Sequence, residues 1–164
     1  MATADFMAGC VSLFEVKLNG TLTLLGTVPT TSNGSNPNCG VVVNALAFSP
    51  NGLFLATGAG LQATVQMFQF NAPTLTLLGS AVPTGDSGQT NAVAFHPNGT
   101  LLAAASGGSV SLFAVQPNGT LTLLGSPVSD PKNPNPNSVA FSPSGKWLAA
   151  GTKSGSGVSV FAVT

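Results

Sequence analysis

Few side chains in this chain could do acid, base or nucleophilic work. The acids are Asp5, Glu15, Asp86 and Asp130, the cations Lys17, Lys132, Lys146 and Lys153; there is one histidine, His96, two cysteines, Cys10 and Cys39, and no arginine. His96 is the side chain whose unperturbed pKa lies near neutrality, so it is the natural candidate for a general base. Hydrolytic chemistry would also need donors aimed at a developing oxyanion, or a metal that activates water. His96 stands in the segment FHPNG, where two sister segments carry Ser49 and Ser142, and a residue at a recurring hairpin entry reads as a turn residue. The four acids fall in different strand or loop contexts, and no two are closely spaced. The expectation is therefore no catalytic residue, no metal ligands and no cofactor.

Asp86, in TGDSGQT, and Asp130, in SDPKNPNPN, occupy corresponding loops. Loops gathered on one face of a repeat fold are where ligands and partners bind, but Asp also favours turns for its own hydrogen bonding, and the turn reading comes first. Asn19, Asn33, Asn98 and Asn118 match the Asn-X-Ser/Thr glycosylation pattern, yet three of them are Asn-Gly-Thr, which hairpins need in any case. Trp147 invites a binding reading. The positions taken as its equivalents, Phe54 and Leu102, are apolar, so it is expected to pack between repeats, as are Phe68, Phe113 and Phe161. Cys10 and Cys39 could pair or stand as two separate thiols; spacing does not choose.

Charged residues make up 5% of the chain, against about 25% in an average globular protein. Four lysines balanced by four acids cannot neutralise a run of phosphates, which argues against nucleic acid as a partner. Residues 1–25 lack the pattern of a signal peptide, and no apolar run approaches the ~20 residues of a membrane span, so a soluble chain is expected. Nothing in the composition names a compartment.

These few groups are carried by a repeat. NALAFSPNGLFLATG from Asn44, NAVAFHPNGTLLAAA from Asn91 and NSVAFSPSGKWLAAG from Asn137 align, with Phe48, Phe95 and Phe141 spaced 47 and 46 residues apart. A second line recurs as VSLFEV (from Val11), VQMFQF (from Val65), VSLFAV (from Val110) and VSVFAV (from Val158), and a third as TLTLLG at Thr21, Thr74 and Thr120. Each is a short β-rich run. Pro-Asn-Gly or Pro-Ser-Gly joins the first strand to the second, and Asn-Gly-Thr joins the third to the fourth, except around Asn71, where the turn reads NAPT. No window carries the apolar stripe of a helix. Four short strands per ~46 residues is the period of a propeller blade.

The pattern at Val139 to Val163 and Thr120 to Gly125 resembles the repeat of the lactonase-like seven-bladed propellers, and more loosely a WD40 blade, although Phe14, Phe68, Phe113 and Phe161 stand where a WD40 blade would carry Trp. The resemblance implies an all-β propeller of four-stranded antiparallel blades. It also implies acidic, histidine and arginine side chains around a channel mouth, which this chain does not supply in matching positions.

Counting strands gives about three and a half blades in a single domain over 1–164. The division is an incomplete first blade (1–43), two blades (44–90 and 91–136) and an incomplete last blade (137–164). Closed propellers need about four blades or more, and open ends leave apolar faces bare. The functional expectation is a non-catalytic scaffold module that self-associates through its incomplete first and last blades, as a closed oligomer or a head-to-tail filament, or presents loops to another protein. The alternative is a lactonase-like hydrolase fragment.

Overall fold

The computed structural model describes residues 1–5, 10–29, 42–132, 134–153 and 157–164. Within them fourteen strands form four antiparallel sheets, each with its strands in chain order. The first sheet holds β1 (Ala2–Asp5), β2 (Cys10–Val16) and β3 (Leu22–Pro29). The second holds β4 (Val43–Phe48), β5 (Phe54–Ala59), β6 (Thr64–Asn71) and β7 (Thr74–Pro83). The third holds β8 (Thr90–Phe95), β9 (Leu101–Ser106), β10 (Ser109–Val115) and β11 (Leu121–Val128). The fourth holds β12 (Pro136–Phe141), β13 (Trp147–Thr152) and β14 (Val158–Ala162). The architecture is an all-β partial propeller. Among the described residues no helix is long and apolar enough to cross a membrane.

The turns form as their residues dictate. Ser49, His96 and Ser142 each donate an amide N–H across the hairpin, to the carbonyls of Phe54, Leu101 and Trp147, and each accepts from the glycine three residues on. Those glycines, Gly52, Gly99 and Gly145, sit at φ 71°, 76° and 73°, a region that a side chain disfavours. At the opposite hairpins Asn19 and Asn118 take the backbone N–H and the hydroxyl of Thr21 and Thr120 on one amide oxygen; Asn98 does the same with Thr100 in its own turn. The Asn-Gly-Thr triplets at these three positions are turn devices. Asn33 and Cys39 lie outside the described residues, and with them any pairing of Cys39 with the buried Cys10.

Successive sheets stack face to face. Val11 and Leu13 of the first meet Leu55 and Phe68 of the second. Val65, Met67 and Phe54 of the second meet Leu102, Phe113, Leu121 and Leu123 of the third. Val110 and Leu112 of the third meet Leu148 and Phe161 of the fourth. Phe68 and Phe113 are buried, as expected of core aromatics, and Phe161 is half-buried.

Trp147 departs from expectation. It pairs with Ala162, as Leu101 pairs with Ala114 and Phe54 with Gln69, so its counterpart in the third sheet is Leu101 rather than Leu102. Phe54 is covered by the sheet that follows it, whereas Trp147 lies on the outer face of the fourth sheet and is exposed. Its apolar type is that of a packing residue, but no described residue packs over it from beyond that sheet.

The inner strands β4, β8 and β12 each carry an irregularity at the same place. The ladder shifts between Val43 and Ala45, between Thr90 and Ala92, and between Pro136 and Ser138. The extra residue is an asparagine each time: Asn44, Asn91 and Asn137. A bulge re-aims the side chain it carries. Asn44 donates to the amide oxygen of Gln89 at 3.4 Å, and Asn91 to the carbonyl of Pro136 at 3.3 Å, each reaching into the next sheet.

Candidate functional site

Antiparallel strand order sends the connections to two ends of the stack. The crossings from outer to inner strand (β7 to β8, β11 to β12) share one end with the β5–β6, β9–β10 and β13–β14 hairpins. The Pro-Asn-Gly and Asn-Gly-Thr hairpins occupy the other. His96 belongs to the second end. Its Nε2–H donates to the carbonyl of Gly145 in the next sheet (3.1 Å), and its ring meets Phe141 edge-on at 5.1 Å. It is a staple between sheets, not a base above a substrate.

Asp86 and Asp130 belong to the crossing end. One oxygen of Asp86 accepts the Ser109 hydroxyl at 2.6 Å and the Gly108 N–H at 2.9 Å, so the β7–β8 crossing is pinned to the β9–β10 hairpin of the sheet it leads into. Its other oxygen accepts the Ser87 N–H at 2.7 Å. Partial burial pushes this carboxyl upward. The bonds from the Ser109 side chain and from the Ser87, Gly108 and Ser109 backbone outweigh it and hold the group below its ordinary 3.8. Asp86 therefore stays an anion at neutral pH. Asp130 repeats the device: its oxygens accept the Ser159 hydroxyl at 2.6 Å and the Lys132 N–H at 2.9 Å.

The two clasps are not in strict register. Val82 and Val128 hold equivalent ladder positions against Val65 and Val110, so Asp130 matches Thr84, and Ser159 matches Ser111. In the third sheet Ser111 donates to the carbonyl of Thr84 at 2.7 Å, and the buried Thr84 and Ser106 hydroxyls share a bond of 2.7 Å. The same junction is thus closed by a carboxylate in one repeat and by a hydroxyl pair in another.

Beside the Asp86 clasp lies an open cleft of about 300 Å³ lined by Gly85, Asp86, Gly108, Ser109, Pro127 and Ser129. It offers one fixed negative charge, two serine hydroxyls and small residues that let a ligand approach the backbone. No group of three or more His, Cys, Asp or Glu comes together among the described residues. The sequence pointed to Asp86 and Asp130 and set them apart as turn residues; it missed Ser109, Ser159 and the bulged asparagines. The asparagine that opens each of the three aligned segments was the available signal.

A family model described as lactonase, seven-bladed β-propeller, matches residues 43–164. Among solved structures, a candidate 6-phosphogluconolactonase from Bacteroides uniformis superposes with a TM-score of 0.75 at 20% identity, covering 99% of this chain and 50% of that one. One from Bacteroides fragilis superposes at 0.71 with 16% identity, over 99% of this chain and 63% of that one. A protein from Lactobacillus plantarum superposes at 0.67 with 18% identity, again over 99% and 63%. The chain thus spans about half to two thirds of the length of these structures. No curated protein matches it.

The family match overturns the expectation of a non-catalytic scaffold. That expectation rested on the scarcity of ionisable groups in this chain, as though every group of a site had to come from these blades. The matched family favours instead the lactonase-like reading first set down as the alternative, and the similar structures show the propeller fold.

Proposed function

Because this chain belongs to the lactonase family of seven-bladed β-propellers, we propose that it forms part of a lactone hydrolase. The family match over residues 43–164 carries this reading. In the reaction, water adds to the ring carbonyl carbon and the ring C–O bond breaks. The ring oxygen leaves as a hydroxyl, taking one proton, and the acid product releases the other. Substrate binds at the crossing end, in the cleft between Asp86 and Ser129. The clasped carboxylate holds the β9–β10 hairpin as one wall, and the bulged Asn91 lies at the start of the adjoining inner strand. Serine hydroxyls beside a fixed carboxylate suit the hydroxyl groups of a hydroxyl-rich ring. The sugar lactones named for the similar Bacteroides structures are the first substrates to try.

The test follows acid release from glucono-δ-lactone and from its 6-phosphate at constant pH, corrected for spontaneous opening. Hydrolysis above the buffer rate is expected. Ser129→Trp, which fills the cleft and leaves both partners of the clasp in place, should abolish it, and His96→Ala, at the opposite end, should leave it unchanged. Hydrolysis no faster than buffer for every lactone tried, or activity that depends on His96 and ignores Ser129→Trp, refutes this assignment.

A further inference from the structure

Thr152 breaks the hydrogen-bond pattern of its position in the blade. It pairs with Pro136 as Ser106 pairs with Thr90, so the two residues are equivalent. The Ser106 hydroxyl is satisfied directly by that of Thr84, at 2.7 Å, in the crossing that leads into its own sheet. The crossing residue equivalent to Thr84 is Asp130, whose longer side chain reaches the Ser159 hydroxyl at 2.6 Å. The Thr152 hydroxyl is buried and has no hydrogen-bond partner among the described residues. Folded chains seldom leave a buried hydroxyl so, and an ordered water commonly serves such a group.

Thr152 borders a cavity of about 10 Å³, roughly the room that one water needs. Ser109, Asp130 and Ser159 also border it, and Val110 and Phe161 form part of its apolar wall. Strand alternation turns Leu148, Ala150 and Thr152 to one side of β13, and Leu148 and Ala150 pack there with Val110 of the third sheet. The cavity therefore lies between two described sheets and belongs to neither outer face of the stack.

We propose that this cavity is a binding site for a single water molecule, which bridges the Thr152 hydroxyl to the carboxylate of Asp130. The chemistry of the two groups selects water. An ionised carboxylate only accepts, so it needs an O–H offered to it, while a threonine hydroxyl both donates and accepts. One water gives an O–H to Asp130 and exchanges a second bond with Thr152. It takes the place of the direct Ser106–Thr84 bond of the preceding junction. Threonine and aspartate can thus alternate at the crossing without leaving a buried hydroxyl unsatisfied in the blade that follows. The site stands whether or not the chain opens lactones.

A crystal structure of the chain that resolves ordered water tests this directly. One peak is expected within about 2.5–3.0 Å of both Thr152 Oγ1 and an Asp130 carboxylate oxygen. In solution the same water should give nuclear Overhauser contacts to the methyl protons of Val110, which lines the cavity. Asp130→Thr restores the residue type of Thr84; its introduced hydroxyl should bond Thr152 directly, and both the peak and the contacts should disappear. A wild-type structure with no peak there overturns the proposal, as does a peak at the roughly 2.3–2.6 Å of a metal ion such as calcium. So does a Thr152 hydroxyl bonded directly to a protein group in the wild type, or a water that persists unchanged in folded Asp130→Thr. Should that variant not fold, the wild-type density and contacts decide the matter alone.

Discussion

Replacing Asp86 by alanine removes both oxygens that hold the β7–β8 crossing. Lost are the charge-assisted bonds from Ser109 (2.6 Å) and Gly108 (2.9 Å) across to the next hairpin, and the local bond from Ser87. A hydrogen bond to a charged group contributes about 1.5–3 kcal/mol where it is shielded. Asp86 is only half-buried, so the lower end applies, and the two cross-loop bonds together are expected to stabilise by about 1–2 kcal/mol. For a chain of this size that lowers Tm by about 3–6 °C at neutral pH. The pH dependence has a definite sign. The folded carboxyl lies below its ordinary value of 3.8, so the native state binds fewer protons than the unfolded chain. The stabilisation is whole above about pH 5 and drains away as pH falls through the depressed native pKa. Thermal unfolding of parent and Asp86→Ala should therefore differ most at pH 7 and converge toward pH 2. A gap of the same size at both pH values would mean that the lost stability comes from packing rather than from the anion, and the clasp argument would be wrong.

Two further substitutions probe the stacking of the sheets. Gly119→Ala combines a positive φ with a clash against Phe54 and Leu78, and should cost about 2–4 kcal/mol, whereas Gly20→Ala, with the same φ in open space, should cost only about 1 kcal/mol. Urea unfolding of the two variants separates them, and equal costs would refute close packing at Gly119. His96→Ala removes the bond to Gly145 and the edge contact with Phe141. It should cost about 1–2 kcal/mol in the same measurement.

The blade was legible because it is written in residues that have one physical use. Pro-Asn-Gly and Asn-Gly-Thr can do little other than turn, and the Val-x-Leu-Phe lines can do little other than pack. His96 could be set aside for the same reason, since a position shared with Ser49 and Ser142 is defined by its hairpin. The bulges at Asn44, Asn91 and Asn137 were not legible, because a two-residue period tolerates one extra residue without changing its apolar pattern. Trp147 shows a different limit. Residue type reports the burial that a blade expects from its neighbour, and no described sheet lies beyond the fourth to supply it. The function was ranked wrongly because ionisable groups were counted within one chain, while the family pattern is carried by turns and core positions that perform no chemistry.

The two ends of the stack differ in how much they can change. In the three described hairpins after β4, β8 and β12 a glycine lies near φ 73° and a residue bonds across the turn, so His96 can replace serine only by serving as a staple itself. At the crossing end one junction is closed by Thr84 with Ser106 and Ser111, and the next by Asp130 with Ser159, while Asp86 adds a clasp two positions further on. The scaffold accepts threonine or aspartate there because the serine of the next sheet can donate to a backbone carbonyl, as Ser111 does to Thr84, or to a carboxylate, as Ser159 does to Asp130. The charge at the crossing end accordingly differs from blade to blade. In a ring of nearly identical blades such positions are where a single, asymmetric substrate can be recognised. Lactone binding is accordingly sought at Asp86 and Ser129, and not at the more obviously ionisable His96.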